Sequence, residues 1–119
     1  MAQAMKRLVF WLSALAAASP LAAQANATAE ECQDLLKNGL RISAWEQHCQ
    51  FQGGVGRFLR AGYQDMRCHT LLTDSVIDQA GQQIEAELSG QIRQLGGEQA
   101  FCAAARPAYE DIRSALPKR

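Results

Sequence analysis

Apolar positions recur at helical spacing along most of the chain, and the periodic stretches are separated by glycines. The clearest stripe is Val55, Phe58, Leu59, Gly62, Tyr63 and Met66, which follows the i, i+3, i+4, i+7 rule of an amphipathic helix. Arg57, Arg60, Gln64 and Arg67 fall on its other faces. Ile77, Ala80, Ile84, Leu88, Ile92 and Leu95 predict a longer helix over 74–95, with N-cap candidates from Thr70 to Asp74 and Gly96-Gly97 as its stop. Gly81 and Gly90 lie inside it, where it can bend or pack closely. Phe101, Cys102, Ala105, Tyr109, Ile112 and Leu116 predict a last helix. Pro107 falls within it, and a mid-helix proline removes a hydrogen bond and kinks or restarts the helix.

Two shorter helices are expected before these. Thr28 and Glu31 have capping-box spacing, and Glu30, Glu31 and Asp34 put negative charge in the first turn. Lys37 and Asn38-Gly39 supply a C-terminal stop, so the first helix is expected over about 29–38, with Cys32, Leu35 and Leu36 facing inward. Ser43 and Glu46 repeat the capping box and start a second helix, with Trp45, Cys49 and Gln52 on one face. Gly53, Gly54 and Gly56 end it, since each glycine costs a helix about 1 kcal/mol relative to alanine. No strand pattern, repeat or low-complexity linker interrupts this series. The expected class is all-α, a small bundle of four to five helices.

The first 25 residues read as an address. Lys6 and Arg7 precede an apolar run from Leu8 to Ala18, Pro20 breaks it, and Ala23-Gln24-Ala25 offers a small-x-small cleavage pattern. The run is shorter than the ~20 apolar residues that a stable membrane span requires. Met5 makes as good a start as Met1. The expected organisation is a signal peptide over 1–25 and one helical domain over 26–119, exported to the periplasm or beyond the cell. Without Lys6 and Arg7 the remaining chain carries ten basic against twelve acidic residues. With no basic excess, nucleic acid is not expected as a partner. No later stretch is long and apolar enough to span a membrane.

A domain of this size buries only about 60–65% of its unfolded surface, which leaves it marginally stable without a staple. Four cysteines, Cys32, Cys49, Cys68 and Cys102, supply one in an oxidising compartment. If the first two helices form an antiparallel hairpin, Cys32 and Cys49 both lie ~9 Å from its end. That favours Cys32–Cys49 with Cys68–Cys102. A straight helix over 74–95, however, is ~33 Å long and would hold Cys68 and Cys102 apart. The pairing Cys32–Cys102 with Cys49–Cys68 therefore stays open.

His48-Cys49 and Cys68-His69 form a Cys2His2 set of the kind zinc accepts. Adjacent helical residues point about 100° apart, so neither His–Cys pair can readily share one site, and no metal ligand or cofactor is expected. No Cys-x-x-Cys or Gly-x-Ser-x-Gly motif is present, and the carboxylates Asp74, Asp78, Glu85 and Glu87 alternate with glutamines on a solvated face. Gly53 to Arg57 resembles an anion-binding loop but lacks the Lys-Ser/Thr of a phosphate loop. Arg57, Arg60 and Arg67 can form a modest basic patch. An enzyme is not expected. The favoured expectation is a non-catalytic binding or interaction module of the cell envelope: an inhibitor, a chaperone-like protein or an accessory protein for an envelope protein or small ligand. The alternative is a metal-handling protein using His48 and His69.

Overall fold

The computed structural model describes residues 27–117, and within them the chain is all-helical. The export signal expected over 1–25 lies outside the described residues. Helix α1 spans Ala29–Cys49, α2 Val55–Asp65, α3 Asp74–Leu95 and α4 Glu98–Ala115, with a 3-10 turn at Cys68–Thr70 between α2 and α3. Helix α1 touches all three other helices and is the axis of the fold. No helix among the described residues is long and apolar enough to cross a membrane.

Local signals account for most of the element ends. Thr28 Oγ1 accepts the Glu31 amide at 3.1 Å, while the Glu31 carboxylate accepts from the Thr28 hydroxyl rather than from its amide. Thr73 caps α3 by accepting the Val76 amide at 3.2 Å. Gly96 and Gly97 then turn the chain into α4 with φ of 93° and 136°, a left-handed stretch that a side chain resists.

The expected break between the first two helices does not occur. Asn38-Gly39 lies inside one continuous helix, about 31 Å long at 1.5 Å per residue. Asn38 Oδ1 accepts from Arg41 at 2.9 Å instead of turning the chain. Gly39 faces α2, where a Cβ would sit 3.7 Å from that of Leu59. Packing along both faces of α1 offsets the propensity cost of one glycine, about 1 kcal/mol. Pro107 likewise does not end α4, which runs through it to Ala115. The carbonyl left without a donor is that of Ala103, on an exposed face where water can serve it. Gly81 and Gly90 are not packing points, because a Cβ on either would meet open space.

The core divides between the two ends of α1. Ile42, Phe51, Val55, Leu88, Phe101, Ala105 and Tyr109 form the larger cluster toward its C-terminus, and Cys32, Cys68 and Leu72 the smaller one toward its N-terminus. Each cluster is stapled. Cys32 bonds Cys68 and Cys49 bonds Cys102, with Cα separations of 5.3 and 5.4 Å. Neither pairing favoured by the sequence is formed. No hairpin brings Cys32 and Cys49 together: in a continuous α1 they stand about 25 Å apart, far beyond the ~7 Å Cα limit for a bridge. Cys68 and Cys102 are likewise held apart, each bonded to an opposite end of α1. Cys32 binds the turn that follows α2, and Cys49 binds the first turns of α4.

Candidate functional site

Helices α1 and α2 lie antiparallel, and small residues set their separation. A Cβ on Gly56 would come within 2.5 Å of Ser43 Oγ and 3.3 Å of Ser43 Cα, and one on Gly62 would lie 4.0 Å from Leu35. Read along the pair, Ser43 faces Gly56, Gly39 faces Leu59, and Leu35 faces Gly62. The backbones come closest at Gly56, and beside that point the larger side chains of the two helices leave a groove.

The groove has a volume of about 490 Å³ and is lined mainly by Leu35, Leu36, Leu40, Leu59 and Tyr63, with Gly39 and Gly56 in its floor. Ser43, Arg60, Gln64 and His69 supply its polar rim. Ligand sites commonly occupy about 300–1,000 Å³ and combine an apolar lining with a few polar groups. No carboxylate lines this groove among the described residues. Leu40 has a distinct position: it lines the groove yet belongs to neither core cluster.

One polar network fixes α2 against α1. The Glu46 carboxylate accepts the Val55 amide at 2.9 Å and the Gly56 amide at 3.1 Å. It thus caps α2, whose own N-cap, Gly54, has no side chain to do so. The Tyr109 hydroxyl donates to Glu46 at 2.6 Å and accepts from the Gly53 amide at 2.8 Å. Burial, followed by the hydrogen bond to Glu46, pushes the Tyr109 phenol up to about 12. The Tyr109 side chain is 1% exposed, and both partners of its hydroxyl are structural. The pair positions the loop from Gln50 to Gly54 and does not present a reactive group.

The residues singled out in the sequence are dispersed. His48, in the last turn of α1, pairs with Glu98 in the first turn of α4. His69 follows Cys68 and stands at the groove. Because Cys32 and Cys49 anchor opposite ends of α1, the two histidines also lie at opposite ends, and the Cys2His2 set is split between two disulfides. No cluster of three or more potential metal ligands occurs among the described residues. Arg57 and Arg60 share a shallow recess with Ser43, Glu46 and Gln47, whereas Arg67 stands in the turn beyond α2. The glycine loop after Gln52 positions Gly53 for Tyr109 and carries the left-handed Gly54, with φ 70°. Trp45 packs on the larger cluster beside Cys49 and meets Phe101 edge-on, with ring centres 6.4 Å apart.

No protein-family model, curated protein or solved structure matches the chain.

The groove escaped the sequence reading because its α1 wall crosses the expected helix break. Read as one helix, Leu36, Gly39, Leu40 and Ser43 fall at i, i+3, i+4 and i+7, a stripe distinct from the one that carries Ile42, Trp45 and Cys49.

Proposed function

We propose that this protein is an exported, non-catalytic binding module whose binding surface is the groove between α1 and α2. The observation that carries the reading is Leu40. Burying a leucine contributes about 1.5–3 kcal/mol, yet this one is left partly exposed in a concave apolar site and packs on neither core cluster. A groove between two helices that are fixed by the close contact at Gly56 and by two disulfide-stapled clusters is preorganised, which lowers the cost of binding. Two disulfides within a chain of this size fit an oxidising compartment.

The test compares the natural chain with Leu40→Trp, which fills the groove without touching either core. Protein isolated under native conditions from the envelope fraction is weighed intact by native mass spectrometry. The natural chain is expected to carry a bound small molecule that Leu40→Trp lacks, and once it is stripped of that molecule the two should melt within a degree or two of each other. Saturation to a hundred times Kd adds about 2.7 kcal/mol, so envelope extract is also expected to raise the melting temperature of the natural chain alone. A bare natural chain that no extract stabilises would contradict the reading.

A further inference from the structure

We infer that the groove takes a free single-chain amphiphile with an anionic head, its apolar chain laid along Leu35, Leu36, Leu40, Leu59 and Tyr63 and its head at Arg60. The inference rests on the groove being the binding surface and specifies the ligand's chemistry. Size argues first. The lining runs from Leu35 to Ser43 on α1 and from Gly56 to Gln64 on α2, each about 12 Å. Stable protein interfaces bury roughly 800 Å² on each partner. A site two helical turns long offers less than that to a partner helix, but it suffices for one alkyl chain.

Charge argues second. The rim carries Arg60 and His69 and no carboxylate among the described residues. Arg60 makes no ion pair among them either, whereas Arg41 and Arg113 pair with Glu87 and Glu110. Its planar guanidinium suits a carboxylate in bidentate geometry. Glu46, in the adjoining recess, already spends both carboxylate oxygens on Val55, Gly56 and Tyr109. Ser43 beside Arg60 offers a hydroxyl to the same head. Shape argues third. The apolar surface is concave and lies between two helices, so it encloses a single chain and does not present a flat face to a bilayer.

Calorimetry on the oxidised protein, below the aggregation limit of each probe, compares dodecanoate, dodecyltrimethylammonium and dodecyl maltoside. Dodecanoate is expected to bind at one site, about tenfold or more tighter than the cationic probe, the scale of one charged hydrogen bond. Arg60→Gln is expected to remove that preference while leaving chain binding, and Leu40→Trp to abolish binding of every probe. Equal affinity for the carboxylate and the ammonium, or a preference that survives Arg60→Gln, overturns the anionic head while leaving the groove as binding surface. Undiminished binding to Leu40→Trp overturns both. Cosedimentation with phosphatidylglycerol vesicles, or a dimer in sedimentation that Leu40→Trp dissociates, would assign the groove to a membrane or to a second copy and overturn the free amphiphile.

Discussion

Tyr109 and Glu46 stand 63 positions apart in the chain, and the Tyr109 hydroxyl donates to the Glu46 carboxylate at 2.6 Å. This bond ties α4 to α1 at the point where Glu46 also holds the first two amides of α2. Hydrogen bonds to charged groups contribute about 1.5–3 kcal/mol. Tyr109→Phe is therefore expected to cost about 1–2 kcal/mol, and Glu46→Ala about 2–3 kcal/mol, since it removes a helix cap as well. In a denaturant double-mutant cycle the two changes should be less than additive by about 1 kcal/mol. Strict additivity would show that the contact does not hold in solution.

The same bond gives stability an alkaline limb. Tyr109 is raised to about 12 in the fold, against about 10 for an unfolded tyrosine. Between those values the folded chain binds more protons than the unfolded one, so stability falls with rising pH. The Tyr109 contribution is complete below about pH 10 and is lost as pH climbs through 12. Denaturation midpoints should decline in this window for the natural chain and decline less for Tyr109→Phe. Parallel curves would contradict the assignment.

The disulfides interlock in sequence, with Cys68 falling inside the span closed by Cys49 and Cys102. Non-reduced peptide mapping should recover Cys32 with Cys68 and Cys49 with Cys102, and no other pair. The bridged residues are 36 and 53 positions apart, for which loop entropy suggests about 4 kcal/mol each. Replacing Cys32 and Cys68 by serine should loosen the end of the groove that holds His69, while replacing Cys49 and Cys102 should loosen α4. Hydrogen exchange read on each helix distinguishes the two. Uniform loosening by either pair would show that the clusters unfold as one unit.

Much of this fold is legible along the chain. The stripe from Val55 to Met66 marks α2, and Gly96-Gly97 ends the helix over 74–95 where α3 ends. These elements are set by local periodicity and capping, which sequence displays directly. What could not be read depends on distant partners. Asn38-Gly39 has the composition of a stop, but α2, α3 and α4 all pack on α1, and that burial overrides the local signal. Glu46 reads as the closing half of a capping box with Ser43, yet its carboxylate caps a different helix ten residues on. The disulfide pairing followed the hairpin and fell with it. The groove needs α1 as one helix, so the stop-like Asn38-Gly39 conceals it as well.

Glycine substitutions separate packing from propensity. Gly56→Ala would drive a Cβ to 2.5 Å from Ser43 Oγ and 2.6 Å from Glu46 Oε1, and overpacking of this kind costs about 1–3 kcal/mol. Gly81→Ala and Gly90→Ala meet no neighbour, so each should stabilise the protein by about 0.5–1 kcal/mol through helix propensity. Thermal denaturation of the three variants checks the order. A neutral Gly56→Ala would show that α1 and α2 do not approach as closely as the groove requires.

The groove itself is tested most directly by methyl NMR of the oxidised protein titrated with dodecanoate. The account predicts saturable shifts at Leu35, Leu36, Leu40 and Leu59, with Ile84, Leu88 and Ile92 unmoved. Shifts centred on the second set, or none at any concentration below aggregation, would contradict it.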